Sequence, residues 1–402
     1  MSNIKFKKNT LILLYGLTVF SFIAFSFLNL NNNLTISYRN IIFFCILGIF
    51  TMFLDFPNKI KLFIPPLFIS LMSIHHFLYD PIQTPDSVGY NNILLNYSSY
   101  KDLFQQWLLE SSSNLPINKG FVKFGMIFYP FHSLFGYFDE YFIAIFNSIL
   151  MILSIYYIYK ITKKYFLPNL NIQSTTFYLS FLVLLLFSSG NLYFYSTVFL
   201  KDITNLFVCT IALYFLLEKK YFIFFLLAIL ATYTRVYSII IIGIYYLFIK
   251  RKYKLALLST LFSLLYLFIT HGMTSTINSF FAMFSLLISP NPFKLENWNL
   301  YFFRSLENLI ITIGYILGAY TLTKDKESRK ITYLFLLITI IYSAVMSAIG
   351  SEFLTGRNIA ITLGTTGDNV ARKKLPIIGI TYMMNTYYYI KFLEIIKNKK
   401  TT

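Results

Sequence analysis

The sequence predicts an all-α fold: a polytopic transmembrane helical bundle of about twelve helices, two of them a short re-entrant pair, forming one integral membrane domain over 1–402. Three observations carry this expectation. Of the 402 residues 57% are hydrophobic and 12% charged, with a mean hydropathy of +0.63, more apolar surface than a soluble core buries. Several runs reach the roughly 20 apolar residues that cross a bilayer as a helix. None shows the ten-residue alternation of an outer-membrane strand.

The elements follow in order. The first apolar stretch, 10–30, comes after Lys5, Lys7 and Lys8. It is too long for a secretory leader and has no small-residue cleavage site, so it reads as a retained span. Spans at about 40–55 and 62–79 lead into a long outer segment, 80–137, which contains "DPIQTPDSVGY", an amphipathic stretch from Tyr100 to Glu110, and a half-apolar piece from Phe121 to Phe135 suited to the membrane interface. Spans at about 139–159, 174–189 and 203–217 follow, with "STVFLKD" at the outer end of the last pair. Those at about 255–270, 306–322, 331–350 and 375–392 leave outer loops at 271–305 and 351–374.

A net charge of +18 raises nucleic acid as a partner, but topology accounts for it. About 22 of the 34 Lys and Arg fall in clusters at 5–8, 59–61, 160–164, 219–220, 250–254, 324–330 and 391–400. The positive-inside rule places all of these in the cytoplasm together with both termini. The bilayer is the implied partner, and nucleic acid is not. Cys45 and Cys209 each lie in an apolar run, which excludes a disulfide framework or a zinc site.

One charge breaks the pattern. Arg235 stands alone in the apolar run from Tyr221 to Phe248, flanked by Lys219 and Lys220 before and by Lys250, Arg251, Lys252 and Lys254 after. Both flanks belong to the same side, so the run must cross an even number of times. Two arms of about 14 residues reach about 20 Å each, short of the roughly 30 Å hydrocarbon core. Arg235 is therefore expected at the apex of a hairpin, where only protein or a wet cavity can satisfy the backbone.

The remaining unexplained polar residues fall on the outer face. Asp80 and Asp86 follow the third span, with Tyr90 a turn beyond Asp86; Lys201 and Asp202 open the span at 203–217; Arg304, Arg357, Arg372, Lys373 and Lys374 lie in or beside the last outer loops. A carboxylate among fixed cations at a bilayer suits sugar transfer from a lipid-linked phosphate: the acid takes the acceptor proton and the cations stabilise the departing phosphate. Asp86 and Asp202 are the catalytic candidates. Arg235, Arg372, Arg357, Tyr90, Lys201, Lys373 and Arg304 are the substrate-binding ones. Ordinary roles compete: Asp86 and Asp202 as helix caps, Arg235 as a backbone-bonding residue at a helix break, and the Arg372–Lys374 run as a solvated patch. His75 and His76 suit packing better than ligation. No cofactor is required, and a divalent metal drawn from Asp80, Asp86 and His76 is compatible with the spacing without being compelled by it.

The succession "PDSVGY", then "KGFVKFGMIFYPFHSLFGYFDEYFIAIFNSILMILSIYYIYKI", then "STVFLKD", then "LAILATYTRVY" resembles polytopic glycosyltransferases of the GT-C type and the O-antigen and capsule repeat-unit polymerases of bacterial polysaccharide clusters. The segments "ISPNPFKLENWN" and "GTTGDNVARKKLP" are similar to pieces of membrane proteins from such clusters. The resemblance covers most of 60–390. It implies a GT-C-like bundle, undecaprenyl-(pyro)phosphate-linked glycan as substrate, an active site on the periplasmic face with its essential acid at Asp86, and partners such as a chain-length regulator or other polysaccharide assembly proteins. The sequence departs from the pattern in having one Asp where many GT-C enzymes have an acidic pair, and in placing two spans before the helix that leads into the loop. A GT-C enzyme that moves a single sugar from a polyprenyl phosphate, and a transporter or flippase of lipid-linked oligosaccharide, are the alternatives.

Overall fold

The computed structural model describes residues 35–96, 99, 101–102, 104–106, 108, 142–167, 172–355, 363–364, 366 and 370–401. The expected span at 10–30, the interfacial piece Phe121–Phe135 and Arg357 lie outside them. Every regular element among the described residues is helical. Among the described residues four helices are long and apolar enough to cross a membrane, or five if the bent pair Ser174–Phe187 and Gly190–Thr197 counts as one span. Five further apolar helices have 10–17 residues. The chain divides into two compact units, Met1–Tyr156 with Leu192–Thr204, and Tyr157–Asn191 with Asn205–Thr402.

In the first unit α1 (Thr35–Phe50) packs on α2 (Ile64–Leu78). Prolines in the first turn of α2 sit where the missing N–H is not needed. His76 meets the Phe44 ring edge-on at 5.5 Å, and His75 reaches the Leu71 carbonyl through Nδ1 at 2.8 Å. Both are packed at helix positions, as expected. α3 (Pro85–Asn96), the start of α4 (Phe142–Ile161) and the Leu192–Thr204 segment also belong to this unit.

The second unit contains α5 (Ile172–Phe187), the start of α6 (Gly190–Thr197), α7 (Asp202–Leu217) from Asn205 onward, α8 (Tyr221–Thr234), α9 (Ser238–Ile249), α10 (Tyr253–Ile288), α11 (Leu295–Leu300), α12 (Phe302–Lys324), α13 (Lys326–Thr355), α14 (Val370–Lys374) and α15 (Ile378–Thr401). α10 runs along α13 and α12 along α15. Gly314 and Gly318 of α12 let α15 approach closely: a Cβ at either would lie within 3.0 Å of the Asn385 or Tyr388 side chain. This is the small-xxx-small spacing by which helices pack when apolar burial alone does not drive them together.

The loop at 271–305 is corrected. α10 continues to Ile288 as a 36-residue helix broken only at Gly272, where φ is +77°. The polar residues that read as loop are instead seam residues: Ser275 bonds Ser351 at 2.9 Å, and the Ser279 carbonyl accepts from Ser343. The connection at 190–202 contains α6. Within 351–374, α13 runs on to Thr355 and α14 occupies 370–374.

The expected hairpin forms. α8 has 14 residues and α9 has 12, about 21 and 18 Å long. Between them Arg235 is extended at φ −149°, ψ 125°. Both basic ends meet at one place: the Tyr165 hydroxyl bonds Glu218 at 2.7 Å, and the Lys250 ammonium lies 4.8 Å from the Tyr165 ring. Left-handed Lys219 and Arg251 (φ 61° and 51°) close these ends. In each case paired bonds reach back into the last helical turn, Lys220 N to Phe215 O and Lys252 N to Leu247 O among them, the Schellman closure of a helix C-terminus. At the apex Asn205 of α7 holds both sides of the break, its Oδ1 accepting from Thr234 Oγ1 at 2.8 Å and Ser238 Oγ at 2.7 Å. Replacing Asn205 with Leu is expected to remove about 1–3 kcal/mol by leaving the Ser238 hydroxyl without this acceptor. It should also make Cys209, 5% exposed beneath the same carboxamide, reactive to thiol reagents. An unchanged unfolding midpoint with Cys209 still protected would argue against the clamp.

Candidate functional site

The first unit gathers the acids. Thr84 and Ser87 form a reciprocal cap at the start of α3: Ser87 N donates to Thr84 Oγ1 at 3.1 Å, and Thr84 N donates to Ser87 Oγ at 2.9 Å. With this box in place, Asp86 is not the residue that caps the helix, and its carboxylate sits half-buried in the first turn. Asp80 accepts from the Ile82 N–H at 2.8 Å, a turn role. Tyr90 is 2% exposed, with its ring 5.6 Å from Phe199, and Phe199 N donates to Pro81 O at 2.9 Å. The segment that carries Lys201 and Asp202 is thus docked on the one that carries Asp86 and Tyr90. Asp202 opens α7 and is 5% exposed; Lys201 beside it is half-buried.

The second unit gathers the cations. Arg235 is half-buried at the hairpin apex, where its Nη1 donates to the Tyr237 hydroxyl at 2.8 Å. Arg304 lies in the first turn of α12, 3% exposed, with its guanidinium 4.0 Å above the Tyr301 ring, a cation–π contact. Arg372 and Lys373 lie on α14. Lys373 bonds the Thr366 carbonyl through Nζ, and its own carbonyl accepts from the Tyr342 hydroxyl, so it fastens α14 in place.

Arg304 and Tyr301 line a cavity of about 650 Å³ bounded by the end of α10, the 289–297 segment, Leu363–Gly364 and the start of α14. Lys294 and Glu296 stand on its rim, and Phe281 and Phe284, 49% and 57% exposed, form an apolar edge. Two cations against one acid favour an anion, and the aromatic edge offers a bed for a chain attached to it.

Beneath the cavity lies a charged network that the sequence reading missed. Glu307, 5% exposed, accepts at Oε2 from the Asn191 N–H at 2.9 Å and from Ser189 Oγ at 3.1 Å. A carboxylate at the first turn of α6 complements the helix dipole. The backbones are pressed together here, since a Cβ on Gly190 would fall 2.6 Å from the Phe303 carbonyl carbon. One residue on, Asn308 donates to Pro290 O at 3.1 Å and accepts from the fully buried Lys374. Burial pushes the Lys374 ammonium down to about 8, against the pull of the Glu307 carboxylate. Glu307 escaped notice because Arg304 and Glu307, three residues apart, read as an ordinary polar face. Lys374 was legible only as part of a basic run.

Among the described residues no three His, Cys, Asp or Glu side chains converge as a metal site. No family model, curated protein or solved structure matches the chain.

Lys374 fixes a pH dependence. Its folded value lies below the ordinary lysine value of 10.5, so between about pH 8 and 10.5 the unfolded chain holds the extra proton. Stability then rises with pH, by up to about 1.4 kcal/mol per unit from this group. Followed from pH 7 to 10, the unfolding midpoint of wild type should rise relative to that of Lys374→Met, and a constant separation would contradict the assignment.

Proposed function

We propose that the chain is a membrane glycosyltransferase that polymerises or transfers undecaprenyl-linked saccharide at the periplasmic face of a bacterial inner membrane, as an O-antigen or capsule repeat-unit polymerase. The observation that carries this reading is the cavity at Arg304, where buried and rim cations adjoin an exposed aromatic edge. That combination suits an anionic headgroup on a long apolar chain. A GT-C-like bundle of about twelve helices is the architecture that belongs to this reading.

The residues divide the chemistry. A carboxylate, Asp86 or Asp202, accepts the proton of an acceptor hydroxyl as its oxygen bonds the donor sugar carbon. The bond from that carbon to the pyrophosphate oxygen breaks, and the charge left on the pyrophosphate is stabilised by Arg304, with Arg235, Arg357 and Arg372 as further contributors. Asp86 is supported in this role by the cap at Thr84–Ser87, which relieves it of the structural duty that competes with catalysis.

A transport reading draws on one feature, the interrupted helices at 188–189 and 235–237, since broken helices with polar groups at the break are also how transporters build substrate sites. Purified protein supplied with undecaprenyl-pyrophosphate-linked repeat units, without a transmembrane gradient, separates the readings. A ladder of lipid-linked oligomers supports the polymerase, a single added sugar supports the monosaccharide transferase, and no glycan chemistry supports transport. Arg304→Ala and Asp86→Asn, each at wild-type protein levels, are expected to cut product by roughly 10²-fold or more; full product from both removes the assignment of these residues.

A further inference from the structure

Lys374 is fully buried, yet it belongs to the wall of the Arg304 cavity by connection. Its Nζ donates to Asn308 Oδ1, Asn308 Nδ2 donates to the Pro290 carbonyl at 3.1 Å, and Pro290 lines the cavity. Ala371, one turn back on α14, lines it as well, as does Arg304, one turn back on α12 from Asn308. The charged group that acts on this lysine is Glu307 on α12. Its Oε2 is already engaged by Ser189 and Asn191.

A buried ammonium with a single carboxamide acceptor is held weakly as a cation. An anion held in the cavity adds negative charge beside the wall that Asn308 and Pro290 form, and a buried ammonium feels such a charge with less screening than an exposed one. We propose that the Arg304 cavity takes up a phosphate- or pyrophosphate-bearing ligand together with a proton, and that Lys374 is the residue that carries it. Lys374 is a positioning residue in this scheme. Once charged, it tightens the bond to Asn308 and thereby fixes the Pro290 wall on the occupied site; when the anion leaves, the proton leaves with it. The inference rests on the cavity being the anion site and extends that reading to its proton balance.

The linkage has a definite sign. Burial depresses the free-state value of Lys374 to about 8 and the anion raises it, so binding consumes protons above pH 8 and weakens as pH rises. Farnesyl pyrophosphate is a suitable probe because the outer pyrophosphate ionisations are complete by pH 8.5. Titration calorimetry of the full-length protein in detergent at pH 8.5, in buffers of differing ionisation heat, is expected to give an enthalpy that tracks the buffer with uptake of more than about half a proton per ligand. Affinity should fall by up to about tenfold per pH unit from 8.5 to 10.

Lys374→Met should bind more weakly with no buffer dependence. Should that variant fail to fold, Glu307→Gln serves, because loss of the neighbouring carboxylate moves the window of proton uptake to lower pH. Binding with the same enthalpy in every buffer overturns the proton coupling and leaves the anion site standing. Uptake that persists in Lys374→Met, or a window that Glu307→Gln does not move, overturns the assignment to Lys374. Failure of the wild type to bind the probe at any pH overturns the cavity reading and this inference together.

Discussion

Every interruption of a helix in an apolar surrounding exposes N–H and C=O groups that no water can reach, and the second unit is organised around meeting that demand. Three breaks illustrate how. The one at 235–237 is held by the Asn205 carboxamide, which accepts from hydroxyls on both sides of it. The one at 188–189 is seated on Glu307, which receives a backbone N–H and a hydroxyl. The one after α10 is tied through the Pro290 carbonyl to Asn308. In each case a polar side chain projecting from an unbroken helix closes the gap left by a broken one.

This constraint explains which parts of the fold were legible in the sequence. The hairpin was legible because two independent rules met on it: the basic clusters at 219–220 and 250–254 demanded an even number of crossings, and the run between them was too short for two full ones. Its closing residue was not legible. Asn205 follows Asp202 in "DITN" and looks like part of a polar helix start, and only the meeting of the hairpin apex with α7 turns it into the acceptor for Thr234 and Ser238.

The segment after Gly272 was misread for the opposite reason. "HGMTSTINS" has the composition of a loop, and no rule of local propensity recovers a helix from it. The helix exists because Ser275, Asn278 and Ser279 find partners: Ser351, the Gly364 N–H at 2.7 Å, and the Thr276 and Ser343 groups. Tertiary pairing overrides the weak helix preference of these residues. The cavity inherited the same difficulty, since its walls come from the end of this helix and from the segment behind it. Of its cations only Arg304 stood out in the sequence, as a charge beside a span. For Asp86 the sequence offered both cap and catalyst, and the structure gives the cap to Thr84 and Ser87.

Glu307 and Lys374 remain to be accounted for on stability grounds. Asn205 and Asn308 show that a neutral carboxamide is enough to seat a helix break or hold a carbonyl, and a Gln at 307 could accept from Asn191 and Ser189 equally well. A charged pair in the same place carries a desolvation penalty of several kcal/mol per ion that its mutual attraction seldom returns in full. Lys374 carries that penalty visibly, since burial is what lowers its proton affinity. Scaffolding therefore does not explain why these two positions are ionisable while their neighbours, with the same structural task, are amides. A site that gains a proton when an anion arrives does explain it, because above pH 8 only an ionisable side chain can take up charge as the ligand binds.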